Sequence, residues 1–442
     1  MKGEHLLLAG AGHSHVLVLR RWAMQPNLRP RGLITLVNRT SKLLYSGMVP
    51  GLVAGYYKTE EISIDLRKLA RSSGVSLVIG EIIGLDTLRK TLFLSNRRSI
   101  RFHKLSLDVG AETAKGDWVS GFSNELSPVP IKPLEQALRW IEEQDSRQSL
   151  PFTVIGSGLA SVELSLALRH RWPKREIFLQ SYQGRPSKPF RGALKLASIK
   201  IIRAGSILSG PALLCTGSCA PSWIKESGLP VNNLGRVRTL RTLQVAGQPD
   251  LFAVGDCAVL DADPRPPSGV WAVRSAKPLA QNLEREIRSL PLKRWRPQRH
   301  ALQLIGFQQS DGRSYAWVLW WRMLLGPNAL LWDWKKFIDK RFISSFHELP
   351  LMSNVFNEKK ISLDCRGCAA KIGAQPLIES LEKSGLSPIA NEPRDAVGIV
   401  SSKEGFTFFQ SVDGFPALVD DPWLNARLTT LHACSDIWAS GA

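Results

Sequence analysis

The segment "LDCRGCAAKIG", residues 363–373, sets Cys365 and Cys368 three apart and Lys371 three residues past the second cysteine. At that spacing Cys368 and Lys371 share a helical face or meet in a small-residue loop. A cation beside a thiol favours the thiolate, the nucleophilic form. Half of a zinc site and an inert thiol pair are the alternatives. Zinc needs a second ligand pair, and only His432 and Cys434 follow, at poor spacing. Three aspartates lie downstream: Asp395 in "NEPRDAVGI", Asp413 in "SVDGFPALVDDPW" and Asp436 in "CSDIWASGA". Spaced carboxylates in loops suit Mg2+ bridging nucleotide phosphates.

A second chemistry is written near the start. Gly10 and Gly12 form a GxGxxx turn after the apolar run "HLLLAG". The first glycine lets the chain turn sharply, and the second lets backbone approach a pyrophosphate resting on a helix N-terminus. His15 stands where the fingerprint has its third glycine. "LITLVN" ends in Asn38, where an acid is expected for a ribose hydroxyl; an amide still bonds there, without charge assistance. The pattern repeats in "PFTVIGSGLASVELSLALRHR", residues 151–171, with Gly156, Gly158 and, on the following helix, Glu163. The next strand, "EIFLQS", carries Gln180 in place of an acid. Arg185 and Lys188 just beyond would accommodate a 2′-phosphate. Either motif alone is equally compatible with a plain strand–helix turn.

These groups need elements to hold them. The chain has 442 residues, which implies roughly two to four domains. Apolar runs alternate with helical patterns over the first 260 residues, including a helix at 13–24, which argues for parallel sheets flanked by helices. "IKPLEQALRWIEEQDSRQS" reads as a connector. Residues 293–350 are rich in Trp, Arg and Lys, and composition shifts again near 357. Hydrophobic and charged contents of 44% and 22% are those of a globular protein. Six scattered cysteines form no disulfide framework and indicate a reducing, cytoplasmic setting. The net charge of +20 favours anionic partners: nucleotides, acidic lipid or nucleic acid. A basic solvated surface accounts for it too, and without a zinc-finger, RNP or basic-region pattern no specific nucleic-acid site is expected.

With "TLQVAGQPDLFAVGDCA", which places Gly255 and Asp256 after a short strand, the first part of the chain resembles the type II NADH dehydrogenase-like flavoproteins. The likeness runs over residues 5–350 and includes "LSLDVGAE" with Gly110, "LLCTGSCAPSW" and "SGVWAVRSAKPLAQNL". It implies an α/β protein with two Rossmann-like dinucleotide-binding domains, one for FAD and one for NAD(P)H. The FAD-binding domain would span 1–135 and 241–292, an abbreviated NAD(P)H-binding domain 136–240, and a Trp-rich segment 293–356. Asp256 would bind the ribityl chain, and Tyr45 and Gly47 of "LLYSGMVPGLVAG" would lie beside the flavin. Hydride would pass from NAD(P)H to flavin and on to a quinone or another small acceptor, since the first cysteine is Cys215 and no early redox pair exists. Residues 315–342 mix Trp with cationic residues, as segments resting on a membrane surface do; packing between domains is the alternative.

Residues 361–442 resemble the N-terminal part of selenide, water dikinase, the selenophosphate synthase. The likeness implies that Cys368 is the essential cysteine, Lys371 the phosphate-contacting lysine, and Asp395, Asp413 and Asp436 the ligands of Mg2+ for ATP. His432 stands where many members have Asn. The expectation is a partial α+β synthase module over 357–442 that lacks the rest of the ATP site, so that the chain is a fragment of a longer fusion or truncated. Unpaired sheet edges would favour association, a dimer included.

Overall fold

The computed structural model describes residues 4–114, 127–181, 186, 188–203, 206, 210–308, 313–321, 323–347, 349, 374–385, 397–400, 407–413, 419 and 421–439. The chain divides into two compact units: Met1–Val75 with Ile79–Met352, and Ser76–Val78 with Ser353–Ala442.

The first unit is built around the strand His5–Ala9, whose Leu6, Leu7, Leu8 and Ala9 are at most 1% exposed. A run buried on both faces reads as continuously apolar, as parallel strands do. It pairs in parallel with Leu33–Asn38 on one side and Lys104–Leu107 on the other, and Lys104–Leu107 pairs in parallel with Gln248–Ala253. The registers align Ala9 with Val37 and with Leu107, and Leu107 with Ala253. The next residues, Gly10, Asn38, Asp108 and Val254, therefore emerge side by side at the carboxyl edge, where ligands of parallel sheets bind. The helix His13–Met24 starts there, at the boundary read from the sequence, and buries Val16, Leu19 and Trp22. The helix Gly269–Glu286 packs on it, and Glu284 accepts from Arg21 Nε (2.9 Å) and from Trp22 Nε1 (3.2 Å).

A second parallel sheet runs Val129–Pro130, Ala212–Leu214, Phe152–Ile155, Ile177–Ser181, Lys200–Arg203. It repeats the strand, glycine turn and helix order with Phe152–Ile155 and Leu159–Arg171. Trp172 closes its core against Phe152, with the Arg175 guanidinium 4.4 Å from the indole centroid. A third, antiparallel sheet of Leu302–Gln308, Ser314–Trp320 and Met323–Asn328 precedes the helix Ala329–His347. The stretch expected to form one amphipathic segment is thus half strand. "SYAWVLW" is β-branched and aromatic, buries Ala316, Trp317 and Val318, and cannot keep a helical stripe.

In the second unit the described elements are the helices Ala374–Lys383 and Pro422–Ala439 and the antiparallel pair Val397–Val400 and Thr407–Gln410.

Candidate functional site

The first glycine turn is held by a buried carboxylate. Gly10 has φ +85°, a left-handed conformation that favours glycine, and a Cβ there would strike the Asp108 carbonyl. A Cβ on Gly12 or on Gly255 (φ +69°) would strike the Asp108 carboxylate itself. That carboxylate is 2% exposed and accepts from the amides of Ser14 (2.9 Å) and His15 (3.0 Å), the first turn of the helix. Burial pushes its pKa up to about 6, against the pull of those amides and of His13. Close approach of Asp108 is therefore a sufficient reason for two of the site's glycines.

His15, expected at the cofactor, sits behind the turn. Its imidazole is fully buried, bonding the Gly10 carbonyl through Nδ1 (2.6 Å) and Ser106 Oγ through Nε2 (2.8 Å). Burial lowers its pKa to about 4, so at neutral pH the ring is uncharged, with Nδ1 donating and Nε2 accepting. Asn38 is also spent locally: Oδ1 accepts from the Ala11 amide (3.0 Å) and Nδ2 donates to the Thr40 carbonyl (2.8 Å).

A cavity of about 190 Å³ opens at this edge, lined by Gly10, Gly12, Asn38, Gly110 and Asp256 together with His13, Asp108 and Lys132. A second cavity of about 360 Å³ shares Gly10, Asn38 and Val109 and extends toward Trp223. The two form a trough past the glycine turn. Asp256 leaves the turn at Gly255 and pairs with Lys132 Nζ at 3.0 Å. Sequence reasoning missed His13, Asp108 and Lys132. The first two carried a signal, a polar residue opening a helix in "GAGHSH" and an acid closing an apolar strand in "LSLDVG"; Lys132 carried none.

Tyr45 and Gly47 also border a second cluster. The Tyr45 ring stacks on Phe342, centroids 4.5 Å apart, and burial and Asp339 raise its phenol pKa. The Gly47 carbonyl accepts from Lys335 Nζ (2.9 Å), which also bonds Asp339 (2.8 Å). Glu163 belongs here, not at the second glycine turn: Oε1 accepts from the Gly306 amide (3.0 Å), and burial raises its pKa despite Lys335. Glu163, Lys335 and Asp339 line a small cavity of about 20 Å³ with Tyr56, Tyr57 and Trp332.

At the second turn, Gly156 packs against the Cys215 carbonyl, whereas nothing lies within 4 Å of where a Gly158 Cβ would be. Gln180 is fully buried and donates to the carbonyls of Arg203 (3.2 Å) and Ser206 (3.3 Å). The residue at that strand end that faces the turn is Ser181, 3.0 Å from Ser157 Oγ. Lys188 opens the helix Lys188–Leu196 and is exposed; Arg185 lies outside the described residues. Cys215 and Cys257 are buried, with thiol pKa values pushed up to about 12.

In the second unit, ligand atoms of Asp413, His432 and Asp436 lie within 4.8 Å of one another. His432 and Asp436 are one turn apart on Pro422–Ala439, and His432 Nδ1 is 3.3 Å from Asp413. Cys368, Lys371 and Asp395 lie outside the described residues.

Two sheets, one mixed and one parallel, each containing a strand, glycine turn and helix unit, define a two-domain, Rossmann-type dinucleotide-binding fold. Solved structures share it: the sulfide:quinone oxidoreductase of Aquifex aeolicus (TM-score 0.61, 16% identity, 82% of this chain and 98% of that one) and NDH2 of Plasmodium falciparum in complex with NADH (0.61, 12%, 79% and 100%). In sequence, the chain is 24% identical over 263 residues to demethylphylloquinone reductase NdbB of Synechocystis, covering 51% of this chain and 64% of that protein. It is 35% identical over 83 residues to selenide, water dikinase of Myxococcus xanthus, covering 18% and 24%. The chain thus spans less than two thirds of either curated relative. No family model matches it.

Asp108 gives a pH test. Its folded pKa is raised to about 6, so its burial opposes folding fully above that pH and is relieved as pH falls toward the ordinary carboxylate range. The change in stability on replacing it, Asp108→Asn, should therefore be more favourable at pH 7 than at pH 5. Thermal melts of both proteins at the two pH values check this; an identical difference at both would contradict a buried, ionised Asp108.

Proposed function

We propose that the first unit is an FAD-dependent NAD(P)H oxidoreductase that passes hydride from NAD(P)H through flavin to a quinone or similar small acceptor. One observation carries the reading: Gly10, Gly12, Gly110 and Asp256, from three separate segments, converge on one cavity. The carboxylate of Asp256, paired with Lys132, would bond ribityl hydroxyls. FAD, when bound, supplies the ring that accepts hydride. The open backbone at Gly158 offers the second dinucleotide an approach, and Ser157 with Ser181 presents hydroxyls there. No acid stands at that strand end to repel a 2′-phosphate. The domain limits are those read from the sequence: 1–135 with 241–292 for FAD, 136–240 for NAD(P)H, and 293–356 as the third segment.

The names of NdbB and of the sulfide:quinone oxidoreductase support a quinone as acceptor. So does the surface of the third segment. Trp320, Trp321, Met323, Leu325, Leu330 and Phe337 are all more than half exposed, beside a strongly basic sequence. Such a face suits peripheral contact with a membrane that holds the quinone. No described helix is long and apolar enough to cross one.

For the second unit we propose correspondence to part of a selenide, water dikinase, with Cys368 as nucleophile, Lys371 on phosphate, and Asp395, Asp413 and Asp436 on Mg2+ for ATP. The 35% identity over 83 residues and the convergence of Asp413, His432 and Asp436 support it.

Asp256→Ala should lower flavin retention by about tenfold, the loss of a charge-assisted hydrogen bond. Flavin released by heat from wild type and variant measures it, and equal contents would contradict the FAD site. Wild type should also sediment with phosphatidylglycerol vesicles. The double variant Trp321→Ser, Leu330→Ser should cut the bound fraction by about fivefold; undiminished binding would assign the membrane contact to charge alone.

A further inference from the structure

The helix that should receive the cofactor's diphosphate has little left to offer it. A dinucleotide ordinarily rests on peptide N–H groups at the helix N-terminus. Here the Ala11 amide donates to Asn38 Oδ1 (3.0 Å), the Gly12 amide to the Asp108 carbonyl (3.0 Å), and the Ser14 and His15 amides to the Asp108 carboxylate (2.9 and 3.0 Å). An anion arriving at this turn therefore meets Asp108 where it would normally meet donors.

One side chain at the same place has the opposite problem. His13 is the first residue of the helix, and its imidazole lines the cavity of about 190 Å³. Its Nε2 is shielded from solvent and has no hydrogen-bond partner among the described residues. The ring is flanked by other rings instead, Tyr45 at 5.6 Å and Phe342 at 6.2 Å between centroids. The nearby charges are Asp108, Asp256 and Lys132; the carboxylates favour a proton on the imidazole, while burial opposes it more strongly. A polar ring that lines a cavity where the amides of Ala11, Gly12, Ser14 and His15 are already taken is a site awaiting a ligand acceptor.

We propose that His13 holds the diphosphate of the bound dinucleotide in place of the helix amides occupied by Asp108. Lys132, in the same cavity, offsets part of the charge that Asp108 and Asp256 would otherwise add to that of the diphosphate. The assignment rests on the flavoprotein reading above and adds to it which group takes the phosphates.

The experiment titrates FAD into flavin-free protein, following quenching of flavin fluorescence, and records phosphorus NMR of the bound cofactor. His13→Phe keeps the ring volume and the contacts with Tyr45 and Phe342 but removes both nitrogens. It should raise the Kd for FAD about tenfold and move the diphosphate resonances, with the melting temperature of the flavin-free protein unchanged. His13→Asn and His13→Gln place an amide nitrogen near Nδ1 and Nε2 respectively, and at least one should return the Kd to within about threefold of wild type. If the Phe variant does not fold, His13→Leu takes its place with the same expectation. FAD binding by the Phe or Leu variant within about twofold of wild type, with unmoved resonances, would overturn the assignment. So would equal weakening by all the variants, which marks a packing role. Wild type that binds no FAD at all would instead overturn the flavoprotein reading.

Discussion

The carboxylate of Asp108 lies where three strand ends meet, and the geometry of the dinucleotide edge depends on it. It follows the strand Lys104–Leu107, whose neighbours on either side are His5–Ala9 and Gln248–Ala253. It ties the first helix to the sheet through two amides, and it leaves no room for a Cβ at Gly12 or Gly255. A buried carboxylate is costly unless hydrogen-bonded, and the helix N-terminus is a favourable place for one. The turn is thus ordered by an internal anion. A cofactor phosphate must find other donors, and His13 and Lys132 are among the polar groups that line the cavity.

The third sheet and the helix Ala329–His347 depend on a second polar cluster. Lys335 joins the Gly47 carbonyl, Asp339 and the field of Glu163, so that one cation links three segments of the first unit. Burial alone would lower the lysine's pKa, but the surrounding carboxylates raise it above its ordinary value, and the ammonium persists at neutral pH. Removing either partner would leave a charge without compensation, which is why such clusters are retained as units. Around this polar centre the outer face of the segment stays apolar and exposed, as in Trp321 and Phe337.

Much of this was legible in the sequence where periodicity and glycine spacing speak directly. The helix at 13–24 and the two strand–glycine–helix repeats follow from local pattern, because a parallel sheet fixes what stands at its strand ends; Asp256 came instead from the family resemblance. Side-chain direction was not legible. Glu163 sits on the expected helix but faces the third sheet, and Gln180 points into the core while its neighbour Ser181 faces the turn. A one-residue change reverses the face of a strand, and sequence alone does not set that register. The role of Asp108 was hidden for a related reason: its partners are 93 and 94 residues away. The strand 314–320 was not legible either, because Trp and Arg suit an interfacial segment as well as an aromatic strand.

The most direct test of flavin-mediated hydride transfer is an anaerobic spectral titration of the purified protein with NADH and with NADPH. A yellow protein whose flavin band bleaches on adding a nicotinamide nucleotide, and returns on adding a short-chain quinone, is the expected result. A colourless protein that takes up no FAD, or a flavin band that neither nucleotide bleaches, would contradict the account.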